Sequence, residues 1–162
     1  MAELTNMETK LGEVIGLAMA AQAATERVEK LTDDRQLKKQ LKTMRQEAAR
    51  AEKDGTAVAA SLNGKKAKIL AEARSVKSKG ATMMKTYLER DSDDLDGFEF
   101  LTMAEAGEVG HWSVLQELNK QARHPGVRDL IKVQLPIQKR HLKDVMATSI
   151  SLAAKEDANA PA

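Results

Sequence analysis

The spacing of the apolar residues, in a chain with no proline before Pro125, constrains the fold more than any other feature of this sequence. Apolar or small side chains recur at alternating intervals of three and four, which is typical of one face of an α-helix. In the first segment these residues are Leu4, Met7, Leu11, Val14, Ala18, Ala21, Thr25 and Val28. Ala, Leu, Met, Lys, Glu, Gln and Arg dominate the chain, and they lose little on entering a helix. The sequence therefore predicts an all-α protein.

Turn and capping residues divide the chain into five predicted helices. Thr32-Asp33-Asp34 and Asp91-Ser92-Asp93-Asp94 offer capping oxygens, and the short first turn predicts an antiparallel pair. Pro136 lies inside the last helix and is expected to bend it. The predicted helices run from about Leu4 to Leu31, from Asp34 to Lys53, from Asn63-Gly64 to Arg90, from Leu95 to Arg123, and from His124-Pro125-Gly126 to Ala154.

Length, charge and the lack of cysteine predict a single domain and exclude or disfavour several classes of protein. The 162 residues suit one domain, predicted over residues 1–155, with a frayed tail at 156–162 and a linker at 55–64. The 26 basic and 24 acidic residues give a net charge of +2, which does not favour nucleic acid or an anionic membrane as partner. No apolar run approaches the ~20 residues that span a bilayer. The absence of cysteine excludes disulfides and thiolate metal sites.

Two further segments carry alternative interpretations. The apolar stretch from Val14 to Ala24 follows Glu3, Glu8 and Glu13, the wrong sign for a signal peptide, so we predict a buried helix in a cytoplasmic protein. Basic residues on the second and third helices could contact nucleic acid, but they lack interleaved aromatics and have acidic neighbours, which favours a solvated face. These residues are Arg35, Lys38, Lys39, Lys42, Lys65, Lys66, Lys68, Arg74, Lys77, Lys79 and Lys85.

Polar residues interrupt the apolar faces of the fourth and fifth helices. On a helical wheel Glu108 falls inside the apolar arc of the fourth helix, with Glu105 and His111 on its flanks. On the fifth helix the same position is taken by Gln134, Gln138 and His141. A buried carboxylate must be paired, protonated or bound to a metal, because an isolated buried charge is too costly. The two helices are therefore predicted to direct these groups toward each other.

The segments Glu105–Trp112 and Leu135–Leu142 resemble the second helical hairpin of the ferritin-like superfamily, the four-helix-bundle di-iron carboxylate proteins. A faint internal repeat fits that family. Gly12-Glu13-Val14 is matched by Gly107-Glu108-Val109, 95 residues later, and Arg35 by Arg128, 93 residues later. The resemblance implies an antiparallel helical bundle of two hairpins joined by a long helical crossover.

The resemblance also implies a metal site, and this chain matches it incompletely. In the family one Glu comes from each of two helices and a Glu-x-x-His pair from each of the others. Glu108 and Glu13 match the lone glutamates and His141 matches a histidine, whereas Gln138, Arg45 and Ala48 replace ligands. Two interpretations stay open. One is a buried polar network with Arg45 as counter-ion, and the other is a single Fe, Mn or Zn ion held by Glu108, His111 and His141, beside Glu105, Gln138 and Glu13.

These residues lead to three functional hypotheses. The first is a ferritin-like protein with a degenerate di-iron site, no cofactor and no ferroxidase activity, which serves as a scaffold, stress-related or partner-binding protein. The second is the metalloprotein with the reduced Glu/His site, and the third is the nucleic-acid-binding module. The family resemblance implies self-association as a homo-oligomer. Gly12, Gly16, Gly107 and Gly110 are expected to let the first and fourth helices approach closely, the alternative being that the helices merely tolerate them.

Overall fold

The computed structural model describes residues 3–161, in which all regular secondary structure is helical. The prediction of an all-α protein is confirmed. The helices are α1 (Asn6–Glu29), α2 (Arg35–Ala60), α3 (Lys66–Tyr87), α4 (Asp94–Ala122) and α5 (Pro125–Ala153).

Helices α1, α2, α4 and α5 begin where a side chain accepts a hydrogen bond from one of their first free N–H groups, whereas α3 begins without such a cap. Asp34 accepts hydrogen bonds from the backbone of Gln36 and Leu37, and Asp93 forms a capping box at the start of α4. His124 precedes Pro125, and its Nδ1 accepts a hydrogen bond from the Val127 N–H at 3.2 Å. His124 is therefore a helix-end residue, as its position beside proline predicts.

The second helix is longer than the sequence suggests. The prediction that residues 55–64 form a linker is wrong for 55–60, because α2 continues through Gly55 to Ala60. Gly55 lies against the Ile15 side chain, and a Cβ atom at this position would come within 2.7 Å of it. Ala59 is buried and Val58 packs against the same apolar cluster. Packing on α1 therefore continues the helix past a residue that usually ends one.

Two antiparallel helix pairs make up most of the molecule. In the first, α1 packs along α2, and Arg45 in the first half of α2 pairs with Glu29 at the end of α1 at 2.5 Å. In the second, α4 packs along α5, and the Thr102 and Ser149 hydroxyl oxygens lie 3.2 Å apart. The two pairs meet through contacts of α1 with α4 and of α2 with α5.

Helix α3 connects the pairs and packs on the outside of α1. The two helices run in the same direction, because Gly12 lies against the Ile69 carbonyl and Gly16 against the Ala73 carbonyl. The expectation that the helical glycines bring α1 and α4 together is wrong. Gly12 and Gly16 face α3, and a Cβ atom added to Gly107 or Gly110 would meet no heavy atom within 4 Å.

The apolar interior is divided into two clusters that are displaced from each other along the helices. One contains the N-terminal half of α1 with Trp112 and Leu115 of α4, and the other contains the end of α1 with Phe98 and Leu101. Polar side chains of α4 and α5 occupy the level between them. Within residues 3–161, none of the helices combines the length and the hydropathy that a bilayer-spanning segment requires.

Candidate functional site

Four polar side chains from α4 and α5 form a buried layer between the two apolar clusters. Glu105 and Glu108 lie one turn apart on α4, and Gln138 and His141 lie one turn apart on α5. None of the four is more than 3% exposed. This layer, defined by Glu105, Glu108, Gln138 and His141 and called the polar layer below, is the candidate functional site.

His141 is held between two carboxylates from different helices. Its Nε2 lies 2.7 Å from Glu47 Oε2 of α2, and its Nδ1 lies 3.6 Å from Glu105 Oε2 of α4. Arg140 also pairs with Glu47, so a cation from the surface shares that carboxylate. The imidazole therefore links the buried polar layer to the partly exposed groove between α2 and α5.

Sequence reasoning missed Glu47, although its position carried a signal. It follows Met44 by three residues and precedes Ala51 by four, and both neighbours are buried on the inner face of α2. Arg45 and Ala48, which stand at ligand positions of the family pattern, do not join the polar layer. Ala48 is buried without a polar group, and Arg45 pairs with Glu29 outside the polar layer, so the prediction of Arg45 as its counter-ion is wrong.

The Gln138 amide joins the two glutamates of α4. In the orientation that satisfies its hydrogen bonds, its nitrogen donates to Glu105 Oε2 at 2.8 Å and to Glu108 Oε2 at 3.3 Å. Gln134, one turn earlier, is fully buried, and its amide has no hydrogen-bond partner among residues 3–161. The neutral Gln138 thus supplies the donor that keeps two buried carboxyl groups on adjacent turns.

Burial and neighbouring charge shift the protonation of this layer. Burial, reinforced by the neighbouring Glu105 carboxylate, raises the pKa of Glu108 well above its ordinary value. Burial alone would lower the pKa of His141, but hydrogen bonds and attraction from Glu105 and Glu47 outweigh it and raise that pKa. The layer therefore favours a protonated Glu108 carboxyl and a protonated His141 imidazolium.

The other two predicted ligands lie apart from His141. Glu13 on α1 pairs with Lys10 and with His111, whose Nδ1 lies 3.0 Å from Glu13 Oε2. The His111 side chain is 42% exposed. Of the six predicted site residues, the structure therefore brings together the four of the polar layer and places Glu13 with His111 in a separate pair.

The donor set does not fit the predicted metal site. Both ring nitrogens of His141 face carboxylate oxygens, so the ring has no nitrogen directed at a vacant coordination position. In the described part of the chain, no group of three or more His, Asp or Glu side chains is arranged to hold a metal ion. As arranged, the layer is a network of carboxyl, amide and imidazole groups that favours protons on Glu108 and His141.

Because the pKa of Glu108 is raised in the folded protein, the wild type should lose stability as the pH rises, and Glu108→Gln should not. Below the ordinary glutamate value of 4.5 the side chain is neutral in the folded and the unfolded chain, so the variant and the wild type should have similar stability. As the pH rises, Glu108 ionises first in the unfolded state. The wild type therefore loses stability until the pH passes the raised pKa of Glu108 in the folded state. We expect Glu108→Gln to be the more stable protein at pH ~8, by about 1–3 kcal/mol.

Urea unfolding of both proteins at several pH values measures this difference. Glu117→Gln, on the exposed face of the same helix, is the control and should show no such trend. A stability difference between Glu108→Gln and the wild type that is constant with pH would contradict a buried, protonated Glu108.

Comparison of the chain with protein-family models, with curated proteins and with solved structures finds no match. The function is therefore argued from the geometry of the site.

Proposed function

We propose that this chain is a cytoplasmic ferritin-like helical-bundle protein whose degenerate di-iron site has become a proton-bearing polar network. In this proposal it is a non-ferroxidase scaffold, stress-related or partner-binding protein. Two antiparallel pairs, α1 with α2 and α4 with α5, and the connecting helix α3 support the ferritin-like arrangement. In that family the metal ligands project inward from facing helices, and the inward carboxyl groups of α4 support the same arrangement.

The position of His141 between Glu47 and Glu105 is the observation that carries the proposal. A histidine that ligates a metal uses one ring nitrogen for the ion and the other for a supporting acceptor. Here both nitrogens face carboxylates, at 2.7 Å and 3.6 Å, and the raised pKa of His141 favours a charged ring. A protonated imidazolium cannot ligate a metal, so its positive charge takes over the role of balancing the buried carboxylates.

Metal binding and iron oxidation test this proposal directly. We expect no change in melting temperature when Fe, Mn or Zn is added to chelator-treated protein, because an ion must displace protons from His141 and Glu108. We also expect no oxygen-dependent oxidation of ferrous iron above the buffer rate. Two tightly held irons per chain with oxidation turnover would overturn the proposal.

Binding of a single Fe, Mn or Zn ion is the second candidate function, and Glu47 is the observation that favours it. With Glu47 the layer offers carboxylates from α2 and α4 and an imidazole from α5, which are donor types that these ions accept, although binding requires His141 to lose its proton and turn one ring nitrogen from a carboxylate to the ion. A metal-dependent rise in melting temperature that is lost in Glu47→Gln and in His141→Leu would select this candidate. Asp144→Asn, on the exposed face of α5 in the same groove, is the matched control.

Self-association as a homo-oligomer belongs to the same proposal. Several large apolar side chains are exposed in the single chain: Met83, Tyr87, Met103, Val114, Val133, Met146 and Ile150. Exposed apolar groups support association when they are contiguous. Light scattering coupled to size exclusion gives the molar mass in solution, and a monomer at micromolar concentration would remove this part of the proposal.

A further inference from the structure

A cavity of about 200 Å³ lies between α1, α3 and α4 and reaches the polar layer from the side opposite Glu47. Its walls are apolar, and its lining includes both buried glutamates of α4. Apart from His111, the rest of the lining is apolar or small, and it includes Leu17, Ala20, Ala21, Met83, Phe100 and Met103. Met83 and Met103 are exposed and stand at its opening. A pocket with apolar walls and a few convergent polar groups is the usual form of a small-molecule site.

The charges around the cavity favour a cation. Among the described residues that line it, Glu105, Glu108 and His111 carry ionisable side chains. Both glutamates are almost fully buried, and Gln138 is their shared amide donor. Two buried carboxyl groups on adjacent turns repel an anionic ligand, and they offer acceptors that the amide alone leaves partly unused. An ammonium group has three donors, and its positive charge can take the place of the proton on Glu108.

We propose that this cavity binds small primary alkylammonium compounds. The alkyl chain lies among the alanines of α1 and the methionines at the opening, and the ammonium group donates hydrogen bonds to Glu105 and Glu108. This proposal depends on the cavity and the two glutamates, and it holds whether or not the chain is ferritin-like.

Binding of an ammonium group should expel a proton. Burial beside Glu105 keeps Glu108 protonated to higher pH than an exposed glutamate, and a cation in contact with it favours the ionised form. The ammonium therefore replaces the carboxyl proton, which passes to solvent. Other ionisable groups lie near this level on each neighbouring helix. They are His111 from α4, His141 from α5, Glu47 from α2, Lys10 and Glu13 from α1, and Glu72 from α3, which lies against Gly12.

Calorimetric titration with n-hexylamine hydrochloride tests the proposal, with hexanol and sodium hexanoate as matched probes. We expect hexylammonium to bind at least about tenfold more tightly than hexanol, which is the worth of one charged hydrogen bond, and hexanoate not to bind. Repeating the titration in buffers of different ionisation enthalpy measures proton release. Release should occur in the wild type and be absent in Glu108→Gln, which should also bind more weakly.

Two glycines of α4 provide a matched pair of variants. Gly107 lines the cavity and Gly110 does not, and both have open space where a side chain would start. Leucine at either position should fold, because it removes a helical glycine without a clash. We expect Gly107→Leu to weaken hexylammonium binding at least about tenfold and Gly110→Leu to leave it unchanged. Absence of binding, equal binding of hexanol, or wild-type affinity in Gly107→Leu would each overturn the proposal.

Discussion

Replacing His141 with leucine should lower the free energy of unfolding by about 3–5 kcal/mol at neutral pH. Leucine removes the positive charge between Glu105 and Glu47 and leaves Glu105, which is 2% exposed, without its counter-charge. The loss should be largest below the ordinary histidine pKa of 6.5 and shrink as the pH rises through the raised pKa of the folded protein. Above that pKa the wild type has also lost the charged ring.

A double-mutant cycle separates a network from independent residues. Adding Glu105→Gln to His141→Leu removes the stranded charge, so the double variant should recover much of the lost stability. Glu47→Gln is the comparison on the other side of the ring, and its effect should be smaller because the Glu47 side chain is 20% exposed. If the losses from Glu105→Gln and His141→Leu simply add, the two residues do not form a coupled network.

The inward direction of this network and its four members on α4 and α5 could be predicted from the sequence, but its connection to Glu47 of α2 could not. Helical periodicity alone places Glu108, Gln138 and His141 on apolar faces, and the structure buries them. Glu47 lies at the edge of its apolar face, and which edge residues turn inward depends on how α2 is rotated against α5. That rotation depends on packing between helices, so the sequence of one helix does not predict it.

Gly16→Val should lower the free energy of unfolding by about 3 kcal/mol, because it forces α3 away from α1. A Cβ atom at this position would lie 2.4 Å from the Ala73 carbonyl oxygen and 2.7 Å from the Val76 side chain. The carbonyl belongs to the backbone of α3 and cannot rotate aside, so the whole helix must shift. Urea unfolding measures the loss.

The matched control is an alanine at an exposed helical glycine. Gly107→Ala meets no heavy atom within 4 Å and should raise stability by about 1 kcal/mol through helix propensity. A Gly16→Val variant as stable as the wild type would show that α1 and α3 are not held in close contact. Because stability is expected to fall in Gly16→Val and to rise in Gly107→Ala, the two variants distinguish the effect of packing from that of helix propensity.

These glycines also show what the sequence does not predict, which is the helix that each glycine contacts. The repeat relates Gly12 to Gly107, which suggested one shared role between α1 and α4. In the structure Gly12 is in contact with α3 and Gly107 is exposed. The five helices and their caps follow from local chemistry, whereas the partner of a glycine face is decided by long-range packing. The same limit explains why α2 extends beyond Gly55.

The position of the polar layer has a consequence for how the helices are aligned along their length. A slide of α5 by one turn, about 5.4 Å, along α2 and α4 would separate His141 from its two carboxylates and leave His141 and Glu105 buried without each other's charge. The layer therefore fixes the lengthwise register of α2, α4 and α5, because it selects one alignment from several that apolar packing alone would accept.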